Sequence, residues 1–481
     1  MNFISWSFVA LFTIVLAARI AIGRRKTERR FVWLTILAST VFVMWHVPVY
    51  ILIMLTTVTI DYTAARLIDG APREWRWRRA VLAMALTCNL LLLGFFKYSN
   101  FSLITIEHSL NWLGMGVKLP RLSLILPIGI SFYTFGSMSY TIDVYRGRLR
   151  AIRRFRDFYY FVTFFPHMVA GPIIRAHQFF YQLDRPRRLR LRVFNHAMFL
   201  IIRGAFLKMV CADNIARVVN SYWAYTAEPH LAGTPLQYQG YSGELVILAV
   251  LFNGQIFCDF EGYTSIARGL AYLLGYRFPI NFRYPWIAGS FNDFWQRWHI
   301  TLSSWLRDYL YIPLCGDLKR KVPPIRAYAS ILVVMLLAGL WHGAAMTFVC
   351  WGAIHGLGLA LERLLGFDPA PRRGGFRFVW YFVVQTVAIL ALIFFRSPSL
   401  SDALGFIRNI VDLKFGHINR DFALAFAFFI PPVAMHVYGF LVERMKVRPI
   451  GRFGQAALAG AMLFAVVTIY GQSSEFIYFQ F

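Results

Sequence analysis

Runs of about 20 apolar residues recur from one end of this chain to the other, each long enough to cross roughly 30 Å of hydrocarbon as an α-helix. Inside a bilayer every backbone N–H and C=O has to be satisfied by protein, so repeated runs without strand alternation specify a helical bundle. Of 481 residues, 58% are hydrophobic, and no stretch reads as a soluble domain. The expectation is an all-α, polytopic integral membrane bundle forming a single domain over residues 1–481. Roughly ten runs are long enough to span fully, with re-entrant, partial and amphipathic helices around a central cavity. The first run, Trp6 to Ile22, lacks a basic leader and a small-residue cleavage site, and so reads as a retained span.

The net charge is +27, from 50 Lys and Arg against 23 Asp and Glu. The cations sit in short clusters between apolar runs: Arg24–Arg30, Arg73–Arg79, Arg146–Arg156, Arg185–Arg192, Lys319–Arg326, Arg363–Arg377 and Arg444–Arg452. That is the pattern of cytoplasmic loops facing anionic lipid headgroups, so the charge calls for membrane lipid as partner and not nucleic acid. Val218 to Ala267 holds no Lys or Arg, and its polar part, Asn220 to Glu244, is the expected external loop. The five cysteines show neither CxxC pairing nor zinc-ligand spacing, so no metal site is expected.

Two segments between cytoplasmic clusters are too short for a pair of crossings, which takes about 40 residues. Phe158 to Leu183 is interrupted at Ala170–Gly171–Pro172, and Ala327 to Glu362 at Leu340–Trp341–His342–Gly343. Both read as short helices or re-entrant hairpins, and such breaks are tolerated only where protein or a water-filled cavity surrounds them. A third segment, Tyr276 to Pro313, is aromatic yet carries Arg277, Arg283, Asp293, Arg297, His299, Arg307 and Asp308. Within it, Phe291 to Ile312 has apolar residues at helical spacing. It reads as an amphipathic helix at the cytoplasmic interface or folded into the cavity mouth.

Ionisable groups at membrane depth are costly and are candidates for function. His342 follows Ala327 by enough residues to lie roughly 22 Å along a helix, near or beyond mid-bilayer. Trp341 beside it can wall a channel, and Gly343 lets a substrate approach the backbone. A core histidine satisfied by a neighbouring carbonyl is the competing reading. His299 is read either as functional or as an ordinary interfacial histidine, and His46, His167 and His355 as structural. Asp259 and Glu261 could relay protons in a transporter, or be ion-paired to Lys208, Arg268 or Arg297; pairing is the plainer reading. No G-x-S-x-G elbow, HExxH pair or phosphate-binding loop is present.

Several ordered blocks together resemble the bacterial branch of the membrane-bound O-acyltransferase family, nearest to alginate and cell-surface polysaccharide O-acetyltransferases. They are Leu126–Phe135, Phe164–Pro172, Lys208 with Ala212–Asp213–Asn214, Asn292–Ser303 continuing as Trp305–Leu314, Gly339–Ala344, and the terminal Phe476–Phe481. The sequence departs from the family pattern at Gly136, Glu261, Ser265 and Cys315. The resemblance implies that His342 and His299 are catalytic, His342 as general base or as transient acyl carrier. It implies substrate contacts for Trp341, Trp298, Arg297, Arg307, Asp308 and Asp259. Arg297 and Arg307 lie where donor phosphates could dock, although an ion pair with Asp308 is the plainer role. It implies no bound cofactor, and an acyl thioester donor such as acetyl-CoA at the cytoplasmic mouth of a bacterial inner-membrane protein. An extracytoplasmic partner acyltransferase and a polysaccharide acceptor complete the scheme. D-alanyl transfer to a surface polymer from a carrier-protein thioester is the close variant, a transporter or a secretion scaffold the rival classes.

Overall fold

A computed structural model describes the chain outside residues 1–2, 23–27, 46, 128, 169–170, 184–188, 228–241, 317–321, 368–374, 414–419, 473, 475 and 478–481. His46, most of the expected loop Asn220 to Glu244 and the last four residues of the terminal block therefore lie outside the described residues. The described residues form helices and no strand. In chain order these are α1 (Trp6–Ile22), α2 (Glu28–Met44), α3 (Tyr50–Gly70), α4 (Arg76–Trp112), α5 (Ile130–Tyr145), α6 (Phe155–Thr163) and α7 (Phe165–Met168). Next come α8 (Ala176–Leu183), α9 (Leu191–Ala205), α10 (Asp213–Ala227), α11 (Ser242–Leu273), α12 (Phe291–Trp295), α13 (Ile300–Leu306) and α14 (Ile312–Cys315). The last six are α15 (Pro324–His342), α16 (Met346–Leu364), α17 (Gly375–Arg396), α18 (Leu400–Val411), α19 (Arg420–Glu443) and α20 (Arg452–Thr468).

Among the described residues, seven helices are long and apolar enough to cross a membrane: α3, α4, Leu191–Trp223, α11, α15, Phe376–Arg396 and α19. Three shorter apolar helices, Trp6–Ala21, Arg30–Met44 and Arg452–Thr468, fall below that length. The chain is thus a multi-pass membrane protein, with seven clear spans where roughly ten are expected from the sequence.

The chain divides into two compact units: Met1–Met198 with Ala267–Pro279, and Phe199–Ile266 with Ile280–Phe481. In the first unit the buried Asp61 of α3 accepts hydrogen bonds from Asn89 of α4 at 2.9 Å, Thr141 of α5 at 2.6 Å, and Ser137. One carboxylate therefore ties three helices with all its partners supplied by protein, as a low-dielectric interior requires. The interrupted segment after Phe158 forms short buried helices, α6 to α8, as expected. Gly171 follows the break because a Cβ there would meet the His167 Cα at 2.5 Å and the Pro166 carbonyl at 2.9 Å.

In the second unit, Lys208 lies in a π-helical stretch, Phe206–Ala212, and reaches Asp213 and Asp259 at 2.8 Å each and the Ser474 carbonyl at 3.0 Å. Asp259 also accepts from the backbone N–H of Ile477 at 2.7 Å, and Glu261 pairs with Arg203 and Ser265. Asp259 and Glu261 are thus ion-paired, Asp259 through the first of the three cations considered. The Lys208 and Asp213 block, with Asp259, holds Ser474 and Ile477 in place.

The expected amphipathic helix over Phe291 to Ile312 is corrected. Its residues form α12, α13, a π-helical turn at Arg307–Tyr311 and α14, broken where His299 takes a left-handed φ of 42°. Between Phe291 and Ile312 only Gln296 and Arg307 are exposed, so the segment is covered on nearly every side instead of resting on one apolar stripe. Glu362 of α16 anchors its start, accepting from the N–H groups of Phe291 at 2.6 Å and Asn292 at 3.0 Å, and from the Trp380 indole at 2.8 Å.

The segment interrupted at His342 forms the pair α15 and α16, joined through Gly343, Ala344 and Ala345. Both helices have 19 residues, and α15 is also apolar enough to span, so this is a deeper hairpin than short re-entrant pieces. A Cβ on Gly339 would overlap the Phe348 carbonyl, and one on Gly352 would overlap the Met335 carbonyl. Such small-residue seams let membrane helices approach backbone to backbone. Gly352→Ala is expected to force the pair apart and to lower stability by about 1–3 kcal/mol. Thermal unfolding of the purified protein in detergent measures it, and an unchanged melting temperature would refute the seam.

Candidate active site

His342 is the last residue of α15, and the chain then turns back into α16. The close seam brings the first half of α16 against it. The His342 ring is 4.9 Å from Trp341, 4.9 Å from Trp351 of α16 and 5.2 Å from Phe395 of α17, centroid to centroid, and it meets each of them edge to face. His342 is 5% exposed, so its ring faces protein and not lipid. It lines a cavity of about 20 Å³ with Asn253, Trp298, Trp351, His355 and Phe395.

A second void, a groove of about 750 Å³, lies in the same unit, toward the other ends of α15 and α16. Polar side chains enter it from Gln296, Ser303, Arg307, Tyr311 and Arg363. Its α15 wall is Ile331, Val334 and Met335. Seven helical residues separate Met335 from His342, so the ring lies roughly 10 Å deeper along α15 than the groove wall. Trp295 lines the groove, and its ring is 5.8 Å from Trp351 and 5.2 Å from His355, both of which line the cavity. This unit thus holds an open groove and a small inner cavity, with Trp295 between them.

The remaining predicted residues divide by location. Trp298 lines the inner cavity, and its ring stacks on Phe294 at 5.7 Å. Arg307 lines the groove while pairing with Asp308 at 2.8 Å. His299 is fully buried and lines neither void. Its ring lies 6.0 Å from Trp341 and 4.7 Å from Phe260, and the Trp341 indole in turn packs on His342. Its Nδ1 is 3.2 Å from Asn281 Oδ1, which also accepts from the Thr301 hydroxyl at 2.8 Å. Burial pushes its imidazole down to about 3, which keeps it neutral, and this location replaces the interfacial reading.

Arg297 is committed elsewhere. It donates to Asp293 at 2.6 Å, to Glu443 of α19 at 2.8 Å and to the Arg283 carbonyl at 3.1 Å. Arg283 also pairs with Glu443, and Arg444 with Asp293, which makes a five-member network. A phosphate-docking role would have to break it. Asp259 is likewise occupied by Lys208 and Ile477 and lines neither void.

Asn253, Trp351, His355, Phe395 and Arg363 join the site without a signal in linear order, except that His355 stands on the helix returning from His342. His355 is buried between Phe294, stacked at 5.7 Å, and Trp351 at 4.9 Å. Removing Arg297 would leave Asp293 with Arg444 and Glu443 with Arg283, both more exposed cations, and without the buried cation they share. Arg297→Gln is expected to cost about 3 kcal/mol, because one partner of a largely buried network is lost. A melting temperature in detergent equal to that of the unaltered protein would contradict this.

Residues 148–401 match the model of MBOAT, the membrane-bound O-acyltransferase family. The chain is 33% identical over 390 residues to a probable alginate O-acetylase AlgI of Pseudomonas syringae pv. tomato, covering 80% of this chain and 72% of that protein. It is 30% identical over 411 residues to a peptidoglycan O-acetyltransferase of Helicobacter pylori, covering 79% and 74% of the two chains. Similarity to a teichoic acid D-alanyltransferase of Bacillus subtilis is 30% over 244 residues, covering 49% and 58%.

Proposed function

The chain belongs to the membrane-bound O-acyltransferase family, and on that premise we propose that it transfers acetyl from cytoplasmic acetyl-CoA toward hydroxyls of an extracellular or cell-surface polysaccharide. The observation that carries the reading is His342, buried against a small cavity beyond a groove bearing Arg307 and Arg363. The groove suits an extended donor whose phosphates meet the two guanidinium groups and whose thioester end points inward. Arg363 donates to the Tyr311 hydroxyl at 3.3 Å, which leaves most of its fork for an anion. Movement of the Trp295 side chain joins groove and cavity when the thioester enters.

A hydroxyl is a weak nucleophile at neutral pH, and an imidazole that takes its proton during attack removes that obstacle. The hydroxyl oxygen bonds to the thioester carbonyl carbon as His342 accepts the proton. The C–S bond then breaks, and the departing thiolate takes the proton back from the imidazolium. The products are an ester and a free thiol, and His342 returns to its starting state. His299 acts as a positioning residue, holding Trp341 against His342 from a neutral, fully buried ring.

By the positive-inside rule, the basic clusters ahead of α15 and after α16 in the sequence support a groove that opens to the cytoplasm. The accepting hydroxyl belongs to the polysaccharide or to an extracytoplasmic acyltransferase that carries the acetyl onward. A bacterial inner membrane fits this arrangement, with α1, α2 and α20 completing roughly ten crossings and residues 1–481 working as one enzyme. D-alanyl transfer is the second reading, favoured by the similarity to the Bacillus subtilis D-alanyltransferase. That match covers half of this chain, against four fifths for the alginate O-acetylase. A transporter would keep its flux without His342.

Two measurements test the proposal. His342→Ala should lower acetyl transfer by about 10²–10⁴-fold, the span of a lost general base, with membrane insertion unchanged. Mass spectrometry of the surface polysaccharide reads this, and undiminished acetylation would sink the enzyme reading. The double variant Arg307→Ala with Arg363→Ala should raise KM for acetyl-CoA by about tenfold and leave kcat nearly constant, as lost ground-state binding does. Unaltered KM in a purified assay would remove the groove as donor site.

A further inference from the structure

The inner cavity has two chemically distinct walls. Ala388, Leu392 and Ile256 present hydrocarbon, while Asn253, Trp351 and His355 bring polar groups. Trp351 Nε1 and His355 Nδ1 are buried and have no hydrogen-bond partner among the described residues. Buried N–H groups are nearly always paired, so an orphaned pair on the wall of a cavity calls for an acceptor inside it. The space is small. A cavity of about 20 Å³ holds one or two atoms the size of a water oxygen.

We infer that this cavity is the acyl pocket and that its size and walls restrict the enzyme to acetyl. An acetyl group adds only a methyl and an oxygen to its carbonyl carbon, which matches the space. The methyl lies against Leu392 and Ala388. The oxygen faces Trp351 Nε1 and, in the tautomer protonated at Nδ1, His355. These donors gain strength as the carbonyl oxygen becomes anionic during attack, so they serve the transition state more than the bound thioester. A propionyl or butyryl chain has to displace Leu392 or Phe395. A D-alanyl group brings its ammonium against hydrocarbon. The inference rests on the proposed role of His342 and adds the residues that select the acyl group.

The test is a series of acetyl-, propionyl- and butyryl-CoA with the purified full-length enzyme, alongside Leu392→Ala, Ala388→Val and Trp351→Phe. For the unaltered enzyme kcat/KM should fall at least about tenfold per added methylene. Leu392→Ala should raise butyryl relative to acetyl by about tenfold, and Ala388→Val should depress acetyl transfer by a similar factor. Trp351→Phe keeps the ring packed but removes the donor. It should lower kcat about 10²-fold while KM for acetyl-CoA stays within about twofold. Equal use of butyryl and acetyl by the unaltered enzyme overturns the pocket. So does an unchanged ratio in folded Leu392→Ala, or full acetyl transfer by Ala388→Val if Leu392→Ala does not fold. Full kcat in Trp351→Phe overturns the role of its N–H. If His342→Ala is inactive while every chain length is accepted, only the pocket fails. If no thioester is used at all, the proposed function fails with it.

Discussion

The glycine seam between α15 and α16 is the contact on which the site depends. Lipid tails are as apolar as leucine, so two membrane helices gain little from hydrophobic burial and must rely on close packing. Gly339 and Gly352 permit that packing, because a methyl on either would overlap a carbonyl of the facing helix. Close approach brings Trp351 and His355 level with His342 at the end of α15. Were the helices separated by ordinary side chains, the histidine would end its helix facing lipid or a loose void. A buried imidazole in a narrow protein-walled space follows from the seam.

Charged groups in the second unit serve mainly to hold irregular backbone in place. Lys208 gathers Asp213, Asp259 and the Ser474 carbonyl around a π-helical stretch, and Asp259 continues to the Ile477 N–H. Arg297 joins Asp293 to Glu443. Glu362 satisfies the first N–H groups of α12 and the Trp380 indole. Each network supplies partners to buried polar groups and so allows broken chain inside the protein. Arg307 and Arg363 are exposed and line the groove.

The histidine at the helix break was legible in the sequence because a membrane makes polarity conspicuous. Gly343 beside His342, inside a segment too short for two spans, marked a break that needed shelter. That Asp259 needs a cation was also legible, since a carboxylate inside a span demands one, but the choice of Lys208 over Arg268 and Arg297 came from the structure. The segment from Phe291 to Ile312 was misread because helical spacing of apolar residues looks the same for a surface helix as for short helices buried on all sides. The left-handed turn at His299 carries no glycine to announce it. Arg297 looked available because nothing in linear order brings Glu443 to it. Trp351, Asn253 and Phe395 went unmarked because tryptophan, asparagine and phenylalanine in apolar helices are ordinary.

By itself the sequence determined that this chain is a helical membrane bundle with cation clusters between its apolar runs, a family's ordered blocks and a histidine at a sheltered break. Apolar run length, cation clusters and motif order are local properties that survive without knowledge of contacts. Only the tertiary structure decided which side chains surround that histidine, how much room they leave and which cations remain free to meet a ligand. Those depend on pairings between residues far apart in the chain. A cavity wide enough for one or two atoms is set by the approach of several helices at once, and no stretch of sequence records that distance.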